Sequence, residues 1–91
     1  MNIQDYREQI DSIDKQIVEL LEKRLDIAGG IGQEKKRQGL PVFDEVREKE
    51  RIQTVRELAK NEKYKDRIEQ IYIKLMDETK LWEKELMGLE D

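Results

Sequence analysis

Apolar residues recur at every third or fourth position along the first third of the chain. The series is Ile3, Tyr6, Ile10, Ile13, Ile17, Leu20, Leu21, Ala28 and Ile31, which is one face of a helix. The spacing predicts a first helix from about Asn2, a residue suited to the N-cap, to about Gln38. Gly39, Leu40 and Pro41 stop it, because proline disfavours helix at the residue before it. Asp44 is placed to cap a second helix over about 44–60, with Ile52, Val55, Leu58 and Ala59 on its apolar side. The polar run Lys60 to Lys65 forms a turn. A third helix over about 65–87 carries Ile68, Ile71, Tyr72, Leu75, Met76, Trp82 and Leu86, and frays near Gly88. No run alternates with the two-residue period of a strand, so the expected fold class is all-α, with three helices in one domain over residues 1–91.

Gly29, Gly30 and Gly32 test the continuity of the first helix, since each glycine costs a helix about 1 kcal/mol relative to alanine. Ile31 stays on the apolar stripe and no proline intervenes, which favours one unbroken helix. At 1.5 Å per residue, about 36 residues make a rod roughly 54 Å long. Two shorter helices cannot cover that length in a compact monomer. The far half of the rod is therefore expected to pack on a second copy, in an intertwined homodimer.

Composition narrows the chemistry. The 91 residues are 44% charged and 36% hydrophobic and contain neither cysteine nor histidine. Disulfides, thiolate nucleophiles, the usual zinc ligands and the commonest general base are thereby excluded. This usage fits a reducing cytoplasm. The opening MNIQDYREQI has neither the basic nor the apolar region of a secretory leader, and no run reaches membrane-spanning length. With 18 basic and 22 acidic residues, the net charge of −4 argues against nucleic acid as a partner but leaves room for a local cationic pocket.

Several charges fall where apolar residues belong. At about 100° per residue, Arg24 lies between Ile13 and Ile17 in azimuth, and Lys35 returns to nearly the same angle. Arg7 sits at the edge of this stripe. In the second helix Glu48 lies beneath Ile52 and Val55, flanked by Arg47 and Arg51, whereas the rest of DEVREKER faces water. In the third helix Thr79 is central and Glu83 lies at the edge. Inward charges need partners. Arg24 and Lys35 could pair with Glu48 and Glu83 in a purely structural network, or extend their charged ends to water. Taken together, three inward cations against two carboxylates leave surplus positive charge, which suits a small dianion. The remaining charges, in runs such as EKEL and AKNEKYKDR, are solvated faces, and Trp82 and the tyrosines are core or interface residues.

Three segments follow one another in order: YREQIDSIDKQIVELLEKR, GQEKK at the end of the first helix and PVFDEVREKE entering the second. On these segments the chain resembles, over nearly its whole length, the all-helical chorismate mutases in their stand-alone, monofunctional form. The resemblance implies an intertwined dimer of three-helix chains that rearranges chorismate to prephenate without a cofactor, in phenylalanine and tyrosine biosynthesis. It further implies that Arg24 binds a substrate carboxylate, that Lys35 contacts the ether oxygen, and that Arg7 reaches the partner chain's site. Asp44, Arg47 and Glu48 match the family's D-x-x-R-E motif, which holds the substrate hydroxyl. Ile31 matches an apolar wall residue, and Thr79 a small hydroxyl residue near a carboxylate. Glu83 falls where many bacterial members have glutamine.

That chemistry suits these residues. A unimolecular pericyclic rearrangement needs no nucleophile, only a dianion held in its folded conformer and donors aimed at the oxygen where charge develops. Arginines offer forked carboxylate contacts and lysine a point charge. At the position of Glu83, a protonated carboxyl could donate to the ether oxygen. Alternatives are an isochorismate–pyruvate lyase or an aminodeoxychorismate mutase on the same fold, or a non-catalytic helical dimerisation module. Feedback regulation, and docking onto another shikimate-pathway enzyme, stay open.

Overall fold

A computed structural model describes residues 1–89, so residues 90 and 91 of the expected domain lie outside it. Helix α1 spans Ile3–Gln38, α2 spans Glu45–Leu58 and α3 spans Lys65–Met87, with a short 3-10 turn at Glu62–Tyr64 before α3. The described residues contain no strand, and no helix is long and apolar enough to cross a membrane. The fold is all-α, as the periodicity predicts.

The boundaries follow from local chemistry. Asn2 caps α1 in a reciprocal box: its side chain accepts from the Asp5 amide at 3.0 Å, while Asp5 accepts from the Asn2 amide at 3.1 Å. Gly39 ends α1 in the left-handed region (φ 69°), and the Leu40 amide donates to the Lys35 carbonyl at 2.8 Å. Asp44 caps α2 by accepting from the Arg47 amide at 3.0 Å. The second helix stops at Leu58, two residues short of the expected limit.

The three glycines leave α1 unbroken over 36 residues, and two of them set its packing. Ala28, Gly29 and Gly32 are buried against α3. A Cβ on Gly29 would lie 3.1 Å from Leu86 Cδ1, and one on Gly32 would lie 3.3 Å from the backbone of Glu83. Trp82 seals the same seam, its indole N–H donating to the Leu25 carbonyl at 3.0 Å.

Helix α3 packs on both other helices, while α1 and α2 do not pack on each other. They face one another across a cleft floored by α3. The α2–α3 corner is pinned by Arg56, which pairs with Asp66 at 2.8 Å and with Glu69 at 3.2 Å. The first half of α1 touches none of this. Residues 1–20 are all exposed, and Ile3 (67%), Ile10 (55%), Ile13 (54%) and Leu20 (62%) carry their apolar stripe into open space.

The glycines give a stability test. Gly30 points away from α3, and a Cβ added there would have nothing within 4 Å. Gly30→Ala is therefore expected to raise unfolding free energy by about 1 kcal/mol. At Gly32→Ala the same gain is opposed by contact with the α3 backbone, and a net loss is expected. Urea melts of the two variants check this; equal stabilisation by both would contradict the close approach.

Candidate functional site

The cleft between α1 and α2 holds a cavity of about 570 Å³, within the range used for small ligands. Its α1 wall is Arg24, Ile27, Ala28, Ile31 and Lys35. Asp44, Arg47, Glu48 and Arg51 form the α2 side, and Met76, Thr79, Lys80 and Glu83 come from α3. Val42, in the loop between α1 and α2, closes one end.

Each cation is held differently. Arg24 Nη1 donates to Thr79 Oγ1 at 2.7 Å, and the Thr79 hydroxyl donates in turn to the Leu75 carbonyl, also at 2.7 Å. That relay aims the guanidinium without neutralising it. Lys35 Nζ donates to the Val42 carbonyl at 2.9 Å and lies 3.0 Å from Glu83 Oε1. This second contact is a charge contact without hydrogen-bond alignment, so Glu83 Oε1 is buried with no hydrogen bond, in a residue only 5% exposed. Lys80 pairs with Glu48 at 3.0 Å. Among the described residues, Arg24, Arg47 and Arg51 have no carboxylate within ion-pair distance.

The cavity thus combines five cations, Arg24, Lys35, Arg47, Arg51 and Lys80, with three carboxylates, Asp44, Glu48 and Glu83. Asp44 is committed to its helix cap, and its Oδ1 accepts from the Arg47 amide at 3.0 Å. The excess positive charge faces an apolar wall formed by Ile27, Ala28, Ile31 and Val42, an arrangement suited to an anion with an apolar body.

Eight of the nine residues that the sequence singles out line this cavity: Arg24, Ile31, Lys35, Asp44, Arg47, Glu48, Thr79 and Glu83. Arg7 does not. It lies on the exposed half of α1, about 26 Å along the axis from Arg24 at 1.5 Å per residue. The anticipated structural network forms only in part. Lys35 meets Glu83, but Arg24 finds a hydroxyl and Glu48 is claimed by a lysine from α3. Periodicity does not point to Lys80, because it falls off the apolar stripe of α3. Its one sequence signal is adjacency to Thr79. Ile27 and Val42 are wall residues that the sequence reading likewise misses, and Met76 is one it places only on the apolar stripe of α3.

The fold and cleft define an all-helical protein with a cationic, partly apolar small-molecule cavity. The chain belongs to the chorismate mutase type II family, whose sequence model matches residues 6–84. It is similar to the T-protein of Enterobacter agglomerans, 48% identical over 42 residues, covering 46% of this chain and 11% of that protein. It is also similar to the T-protein of Haemophilus influenzae, 37% identical over 46 residues, covering 50% of this chain and 12% of that protein. The match therefore spans little more than a tenth of these relatives. No solved structure matches the chain.

The differing partners of Arg24 and Lys35 predict different stabilities on truncation. Arg24→Ala frees a hydroxyl that keeps its bond to Leu75, so its stability is expected to change by about 1 kcal/mol or less. Lys35→Ala strands the buried Glu83 carboxylate and is expected to cost about 3 kcal/mol. Adding Glu83→Gln should recover most of that loss. Melts of the three variants provide the check.

Proposed function

We propose that this chain is a chorismate mutase, converting chorismate to prephenate by intramolecular Claisen rearrangement in aromatic amino-acid biosynthesis. The observation that carries the reading is the surplus of cations over carboxylates in a cavity with an apolar wall, within a family of that activity. In this reading Arg24 binds a substrate carboxylate, its fork held by Thr79 so that little orientational freedom is lost on binding. Lys35 supplies positive charge to the ether oxygen as the C–O bond breaks. Glu83, whose Oε1 is buried without a hydrogen bond, would donate to that oxygen when protonated. Arg47 and Arg51 attract the dianion, Glu48 accepts from the ring hydroxyl, the Asp44 cap fixes the start of α2, and Ile31 borders the ring. A cytoplasmic setting belongs to the same reading.

The reading includes a homodimer. The apolar face from Ile3 to Leu20 is exposed along the first half of α1, a continuous stripe that monomers rarely leave uncovered. A second chain antiparallel to it would cover the stripe and bring Arg7 to the partner's cavity. Arg7 cannot reach its own.

Incubation with chorismate should consume its absorbance and yield prephenate without pyruvate. Release of pyruvate from isochorismate instead would favour the lyase, and inertness the non-catalytic module. Arg24→Ala is expected to lower kcat/KM by about 100-fold or more with helix content intact, the loss of one preorganised donor being about 3–4 kcal/mol.

Complementation checks the shared site. Arg7→Ala and Arg24→Ala chains should each be nearly inactive alone. Co-refolded in equal amounts, they should recover about a quarter of wild-type activity, because half the dimers carry one intact site. Failure to recover activity, or sedimentation of an active monomer, would remove the dimer from the proposal.

A further inference from the structure

Lys80 is the one lysine of the cleft supplied by α3, and its surroundings are unusually specific for a surface-rich helix. Its Nζ lies 3.0 Å from Glu48 Oε2 and donates to Glu48 Oε1 at 3.2 Å, so it straddles both oxygens of one carboxylate. Both side chains are half-buried, at 23% and 24% exposure. The Phe43 ring covers another side of the ammonium, with its centroid 4.8 Å away, a favourable cation–π placement that also restricts water. Asp77 adds a longer contact at 3.5 Å from the helix's outer side.

Burial acts to lower the proton affinity of Lys80. The hydrogen bond and charge of Glu48, helped by Asp77, outweigh it and hold the ammonium above the ordinary lysine value of 10.5. Since the folded value is raised, the stability that the Lys80 charge contributes is not lost to its own deprotonation below about pH 10.5 and falls away only at higher pH. The clamp is therefore charged throughout the neutral range.

Glu48 needs such a clamp. It projects from α2 into a cleft containing Arg24, Arg47 and Arg51, none of which has a carboxylate partner among the described residues. A glutamate left to itself there would swing among three guanidinium groups and blunt the charge meant for a ligand. We propose that Lys80 is a positioning residue for the mutase reaction, holding the Glu48 carboxylate across from α3 so that its remaining lone pairs accept from the substrate's ring hydroxyl. Lys80 does this without touching the substrate. By occupying Glu48, it also leaves the three arginines free for the dianion. This role rests on the mutase reading of the cleft.

A kinetic double-mutant cycle tests it. Lys80→Met should lower kcat/KM for chorismate about tenfold, the loss expected for a charged hydrogen bond worth about 1.4 kcal/mol. Lys80→Arg, which can still grip both oxygens, should recover most of that. In a Glu48→Gln background, where there is no carboxylate to hold, Lys80→Met should change kcat/KM by less than about twofold. Melts establish that each variant is folded at the assay temperature, and Lys80→Gln repeats the measurement should the methionine variant unfold. Equal tenfold losses in both backgrounds would mean that Lys80 acts on the substrate itself and would overturn the proposal. So would an undiminished Lys80→Met enzyme. An inert wild type would instead bring down the mutase reading, a result distinct from an active enzyme whose cycle shows no coupling.

Discussion

The close approach of α3 to α1 is the contact on which the rest of the molecule depends. Ala28, Gly29 and Gly32 offer almost no side chain, so the helix carrying Trp82, Glu83 and Leu86 lies nearly on the α1 backbone. That proximity brings Glu83 to Lys35 and Thr79 to Arg24, contacts that longer side chains in the seam would push apart. The glycines lower intrinsic helix propensity by about 1 kcal/mol each. Helix α1 nevertheless continues through them, because its second half is held from the side by α3 and at its end by the Gly39 cap. Packing thus overrides a local preference, and the residues that weaken the helix are those that let the site form.

The cleft persists because α1 and α2 do not pack on each other and are linked through the loop between them and through α3 as the common floor. Lys35 reaches the Val42 carbonyl and ties the loop back to α1, while Lys80 reaches Glu48 and ties α2 to α3. Between these anchors several guanidinium groups line the cavity without carboxylate partners among the described residues. In a purely structural cluster, such charge would be matched residue by residue, since unmatched charge in a half-buried cleft is costly. Such a surplus beside the apolar α1 wall suits an anion with an apolar body, which is the ligand class of the proposed function.

The proportions of the chain carry a related constraint. One helix runs the full length of a molecule measuring 54 × 25 × 21 Å, and its first half has no cover from the other described residues. An amphipathic helix in isolation gains little from its apolar face, because helical stability in proteins comes mainly from tertiary packing of that face. The exposed stripe and the separation of Arg7 from the cavity are thus two aspects of one geometric fact. Both follow from a first helix longer than its two companions can cover.

Much of this was determined by the sequence alone. The three- and four-residue spacing defined three helices, the capping roles of Asn2 and Asp44 and the stop at Gly39–Pro41 were local, and azimuth brought Arg24 and Lys35 to one face. These features depend on residues a few positions apart, which backbone geometry relates directly. The pairings were decided only by the tertiary structure. That Arg24 meets Thr79, that Lys35 meets Glu83, and that Lys80 rather than an α1 cation claims Glu48 depend on how far α3 sinks toward α1 and how it rotates. Lys80 lies off the stripe of α3, and it enters the site because α3 is packed on two sides and so has a wider working face than one stripe describes. Periodicity along one helix reports which side is apolar; the distance and angle at which another helix settles on it are set by side-chain volumes at residues far apart in the chain.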